Sequence, residues 1–372
     1  MFSNSNIGFN MILLLSFMFL MIYVGNGQKK NYYFKTVSFQ KAAYWKENKG
    51  EDAHFINSND LGVFDGVGAW IEQGIDSGQY STELANSIKN YVQQKRSKPG
   101  VVEIDLLRSL IYGYESNLFK NVSGSCTVCI ASLNSISARL SVLNLGDSGL
   151  VVFRIDESPN DRSVFSLLNK ASLMQYWDNQ GKKDVKDIDI LFKTQCSQHE
   201  FNTPFQIGSL GSDKMSENSP LMNIKFDNPR NAAVSQVSGI KENDIVLLAS
   251  DGLLDNLFMH EIAKVLVDNM KPLFTNPKLE METYNDENET TILENTIERL
   301  YNLTIEKQND KKCTSPWSVA LTKENQRLAS KQYRFGFLNG ATSKSQKDVE
   351  ELGGKPDDLT IIMALVKSKV VT

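Results

Sequence analysis

The chain has 372 residues, 41% of them hydrophobic and 23% charged, with a formal net charge of −4. This is globular composition with apolar content enough for a sizeable core. A net acidic balance has no general pull on nucleic acid, so that partner class is set aside.

In chain order, the first feature is Met11 to Val24, an almost unbroken apolar run. It is short for a membrane span and fits the core of a signal peptide. Gly25-Asn26-Gly27 supplies a small-x-small cleavage pattern before Gln28. No Lys or Arg precedes the run, while Lys29 and Lys30 follow it directly, which in an uncleaved anchor would favour a cytoplasmic folded part. Residues 1–27 are therefore read as a signal peptide or membrane anchor, and 28–372 as the folded domain. The segment points to the secretory pathway or to membrane anchoring, and any membrane contact runs through it alone. A mitochondrial presequence would be amphipathic and arginine-bearing, and this run is neither. Sequons at Asn121, Asn288 and Asn302 are expected by chance in so asparagine-rich a chain and do not decide the compartment.

Beyond Tyr33, short strand-like runs alternate with turns. The pattern predicts strands at His54–Asn57, Gly62–Asp65, Ser125–Leu133, Arg139–Leu145, Leu150–Arg154, Val164–Leu168, Ala232–Val237, Ile245–Ser250 and Leu359–Val366. The run from Ile245 is apolar on both faces, as a strand buried between layers should be. Three-to-four spacing, as in Leu84, Ile88 and Tyr91, predicts helices over Ser81–Lys95, Asp105–Phe119, His260–Met270 and Leu293–Gln308. Asn276–Thr290 and Lys323–Gly354 read as surface insertions. The economical layering is α+β, a central sandwich of two antiparallel sheets flanked by pairs of helices.

Cys126 and Cys129 sit three apart on a strand-like run, where they point to opposite faces and cannot clamp one zinc ion. They are read as small core or edge residues, and with Cys196 and Cys313 they form no disulfide framework. His54, His199 and His260 are too few and too scattered to suggest a zinc site or a Ser-His-Asp triad.

Acidic residues at strand ends carry the chemistry. Five sites recur beside a turn: Glu51-Asp52, Asp65-Gly66, Asp147, Asp251 with Asp255, and Asp357-Asp358. A strand fixes the backbone while the carboxylate points into a cleft, and a neighbouring glycine lets a carbonyl approach a ligand. Each Asp-Gly alone marks an ordinary turn. Five in this order point to a hard divalent cation, because all-oxygen donors select Mg²⁺, Mn²⁺ or Ca²⁺. Two such ions sharing a carboxylate can activate water and neutralise a phosphate ester.

Through VFDGVG, NLGDSG, LLASDGLLDN and GGKPDDLT, the chain resembles the metal-dependent type 2C protein serine/threonine phosphatases from about Tyr33 to Val366. DGVGAW, GGKPDD and the phrase FNTPFQ (201–206) resemble the T-cell-activation, mitochondrial-type subgroup, so that a mitochondrial location also enters by resemblance. The resemblance implies a monomeric enzyme acting on a phosphoprotein with two Mn²⁺ or Mg²⁺ ions and a weaker third. It assigns Asp65 as the bridging carboxylate, Gly66 as a carbonyl donor, and Asp251 and Asp357 as flanking ligands. Glu51 would act largely through water beside Asp52, and Asp147 and Asp255 match the third position. Asp358 replaces the usual Asn and is a supporting residue.

Two departures stand out. Val67 and Gly68 occupy the stretch where many members carry a candidate acid His, which the subgroup also often lacks. Lys46 or Lys49 is the candidate substitute for the phosphate-gripping Arg. Two other readings compete: a non-catalytic binding protein on the same fold, which would be expected to lose metal carboxylates, and a two-metal nuclease, which would want a basic channel and stacking aromatics.

Overall fold

The computed structural model describes residues 30–41, 50–155, 187–214, 221, 224–275, 286–338 and 351–371. Two five-stranded antiparallel sheets stack face to face. The first runs in the order β1 (Lys30–Lys41), β14 (Leu359–Val370), β13 (Ile245–Ala249), β7 (Gly149–Ile155), β8 (Ile188–Lys193). The second runs β12 (Ala233–Val237), β6 (Leu140–Leu145), β5 (Val128–Leu133), β3 (Asp60–Phe64), β2 (Ala53–Ile56).

Strand alternation sends one face of each sheet inward and the other towards helices. Val246 and Leu248 of β13 meet Leu61 and Val63 of β3, with Ala131 and Leu133 of β5, in the layer between the sheets. On the far side of the first sheet, Leu247, Ile361 and Met363 pack under α4 (Met259–Thr275) and α5 (Asp286–Asn309) through Ile262, Leu266 and Leu293. The outer face of the second sheet, with Phe64 and Ile130, packs under α1 (Ser77–Arg96) and α2 (Leu106–Phe119) through Tyr80, Leu84 and Leu110. The expected sandwich with flanking helix pairs is the observed one.

Local chemistry explains the helix starts. The Asp76 side chain accepts from the Gly78 and Gln79 amides, and Asp105 accepts from the Arg108 amide, so each satisfies donors the helix leaves open. At the other end of α1, Arg96 donates to Asp60 at 3.0 and 2.8 Å, to Ser132 and to the Leu133 carbonyl, fastening the helix to the sheet.

Several expectations change. The single strand over Ser125–Leu133 is two: β4 (Gly124–Cys126) leaves the large sheet to pair with β11 (Ile207–Ser209), and β5 follows. Cys126 and Cys129 do bury on opposite sides, in separate cores. The insertion at Lys323–Gly354 is helical to Leu338, as part of α6 (Pro316–Leu338), and the one at Asn276–Thr290 gives way to α5 from Asp286. Polar composition suggested loops there, yet Lys, Gln and Glu are good helix formers. The strand expected at Val164–Leu168 lies outside the described residues. The membrane or secretory placement is corrected: among the described residues no helix is long and apolar enough to cross a membrane. The run Met11–Val24 that suggested it lies outside them.

Candidate metal centre

Strand register gathers the acidic motifs at one end of the sandwich. Ala249, the last residue of β13, pairs with Gly149 at the start of β7, so Asp251 adjoins the turn carrying Asp147. Ala249 also pairs with Ile361, and the Ser250 amide donates to the Thr360 carbonyl at 3.1 Å, so Asp357 and Asp358 lie beside them. In the other sheet, Phe64 pairs with Ala53, setting Asp65 beside Glu51 and Asp52.

Three carboxylates meet most closely. Asp65, Asp147 and Asp251 each offer an oxygen, and these atoms all lie within 4.8 Å of one another. The α3 turn (Asp251–Leu254) begins at Asp251 itself, with Asp255 closing it. Asp357 and Asp255 approach the group through a shared partner, Lys355, whose Nζ lies 2.9 Å from Asp357 Oδ2 and 3.0 Å from Asp255 Oδ2, and also pairs with Asp251. Glu51 is held by its backbone: its amide donates to Asp358 Oδ2 at 2.6 Å, and its carbonyl accepts from Ser81 Oγ at 2.5 Å. Asp52 and Asp358 are buried.

Two glycines are fixed by close approach. A Cβ on Gly66 would sit 2.5 Å from the Glu51 carbonyl oxygen, and one on Gly252 would collide with the Asp358 carbonyl oxygen. Only glycine lets these backbones pass.

Burial and mutual repulsion shape the titration. Burial first, and then the charges of Asp251, Asp52, Asp357 and Asp147, raise the Asp65 carboxyl well above the usual carboxylate range. Burial and Asp251 push Asp147 and Asp357 up to about 6 and Asp255 up to about 7, with Lys355 opposing the rise in each. Burial and Asp358 push Asp52 up to about 8. Such values mean that the carboxylates repel one another and that Lys355 offsets only part of their charge. The donor set, all oxygen and crowded, fits a hard divalent cation.

The rim has aromatic support. Gln198, in β9 (Gln198–Glu200), donates to Asp147 Oδ2 at 3.1 Å. Phe201 of the FNTPFQ phrase stacks on Trp317 at 4.9 Å, and the Trp317 ring faces Lys355 Nζ at 5.0 Å. Lys355 is the residue that the sequence reading passed over, although it stands two positions before Asp357. The candidate phosphate-binding residues Lys46 and Lys49 lie outside the described residues.

No family model matches the chain. It is 26% identical to the protein phosphatase PTC7 homolog fig of Drosophila mojavensis, over 85% of this chain and 78% of that one. It is 28% identical to the Homo sapiens protein phosphatase PTC7 homolog, over 85% and 79% of the two chains. Among solved structures, the photosystem II phosphatase PBCP aligns with a TM-score of 0.57 and 21% identity, over 90% of this chain and 99% of that one. That likeness is one of fold.

Proposed function

We propose that the chain is a metal-dependent type 2C protein phosphatase, whose acidic pocket hydrolyses phosphoserine and phosphothreonine in proteins with the help of divalent cations. The observation that carries this reading is the meeting of Asp65, Asp147 and Asp251, drawn from three separate segments, within 4.8 Å. A binding-only descendant of such an enzyme would have no need to keep this repulsive cluster.

The residues take unequal parts. Asp65 would be shared between two Mn²⁺ or Mg²⁺ ions, and Gly66 would offer its carbonyl oxygen. Asp251 and Asp357 would flank one ion, and Glu51 would serve the other. Asp147 lines the same pocket. Bound there, divalent cations lower the pKa of water and offset the charge of the phosphate ester. Asp358 acts through Glu51, whose amide it accepts. Val67 and Gly68 carry no acid, so the leaving alkoxide takes its proton from water or from another group of the pocket. The catalytic domain runs over residues 28–372.

Phosphate release from a phosphoserine peptide tests the reading. The full chain with Mn²⁺ is expected to turn over, and Asp65→Asn or Asp251→Asn to lose on the order of 100-fold or more. Undiminished turnover in EDTA, or in either variant, would sink it.

A further inference from the structure

The acidic pocket has a member of opposite sign. Lys355 sends its ammonium among Asp251, Asp255 and Asp357, and its side chain is only 15% exposed. Its backbone is held on both sides by one side chain: the Lys355 amide donates to Asn256 Oδ1 at 2.8 Å, and Asn256 Nδ2 donates to the Lys355 carbonyl at 2.9 Å. The residues before it are tied to the segment joining α5 and α6. Gly353 donates to the Cys313 carbonyl and accepts from Ser315 Oγ, each at 2.7 Å, and Gly354 donates to the Asp310 carbonyl. The Trp317 ring closes the remaining side. Lys355 is thus built into the pocket, not a surface arm that happens to reach it.

We propose that Lys355 is a tethered cation filling the Asp255 corner of the pocket, which excludes a third divalent ion there and leaves Asp251 and Asp357 one oxygen each for the ion on the Asp65 side. The inference rests on the metal-dependent reading of the site. It replaces the third ion that the family resemblance assigns to Asp147 and Asp255. An ammonium is a compact point charge with three donors, suited to three carboxylate oxygens at once. The Lys355 ammonium lies 2.9 Å from Asp357 Oδ2 and 3.0 Å from Asp255 Oδ2, so a divalent cation at this corner would have to displace it.

Calorimetric titration of the full chain with MnCl₂ tests this without reference to turnover. Lys355→Gln is expected to take up one Mn²⁺ more than the wild type, whereas Lys355→Arg, which keeps the charge, keeps the wild-type count. Melting of Lys355→Gln in EDTA should fall by about 2–4 °C, with a larger Mn²⁺-induced recovery than in the wild type. An unchanged count and an unchanged recovery, in a wild type that binds Mn²⁺, overturn the inference while leaving the phosphatase reading intact. A wild type that binds no Mn²⁺ overturns both. Should Lys355→Gln not fold, Asp255→Asn decides: an unaltered Mn²⁺ count supports the tethered cation, and loss of an equivalent refutes it.

Discussion

Asp147, Asp255 and Asp357 show how single residues respond to crowding. Their carboxyls titrate near 6 to 7, above the ordinary value of 3.8. The folded chain therefore holds these protons more tightly than the unfolded chain. Their contribution to stability is full below the ordinary carboxylate range and is lost as pH rises through about 6 to 7. Divalent cations compete with the same protons. Mn²⁺ affinity measured by calorimetry should thus strengthen from pH 5.5 to pH 8, while the metal-free protein loses stability from these groups over that interval. A flat affinity profile would count against the cluster as the binding site. Gly252 makes a separate point about backbone room. Gly252→Ala presses a methyl group onto the Asp358 carbonyl and should cost about 1–3 kcal/mol in urea unfolding.

Elements carry the next level of organisation. The C-terminal end of α1 reaches the sheet through Arg96, which pairs with Asp60, a residue only 1% exposed. Removing one partner leaves a buried charge uncompensated. Arg96→Met should therefore destabilise the fold by about 3–5 kcal/mol in chemical denaturation. Asp60 opens β3 and Asp65 follows its end, roughly 15 Å apart at strand spacing. Mn²⁺ affinity of the folded Arg96→Met protein should accordingly match the wild type. A large drop in affinity would show that the helix attachment also sets the pocket. α6 acts differently: its Trp317 amide donates to the Asp255 carbonyl at 2.9 Å and its ring meets Lys355, so this helix belongs to the rim of the site.

At the scale of the whole molecule, the pocket joins both sheets. Asp65 belongs to one, and Asp147, Asp251 and Asp357 lie at the ends of strands in the other or in the turn between them. A ligand that binds there only in the folded state stabilises the sandwich as a unit. At a free Mn²⁺ concentration one hundred times its dissociation constant, the gain is about 2.7 kcal/mol. Differential scanning calorimetry should show a higher melting temperature with Mn²⁺ than with EDTA. Asp65→Asn, which removes the carboxylate facing both groups, should largely abolish that difference.

The sequence by itself determined the strand-end aspartates, the doubly buried strand beginning at Ile245, the opposite burial of Cys126 and Cys129, and the sandwich that these imply. Each is a local property, set by period-two alternation and by turn residues beside a carboxylate. Tertiary structure alone decided which motifs meet and how closely. Asp65 lies 186 positions from Asp251 and on the other sheet: the pairing of Ala249 with Gly149 and Ile361 brings the third, fourth and fifth motifs to a common end, and the stacking of the two sheets sets the second against them. It also decided the counter-ion. Lys355 looked like one more polar residue before a turn, because the side chains that claim it, Asp251 and Asp255, stand about a hundred positions away. Charge compensation acts through space, and local spacing carries no record of it.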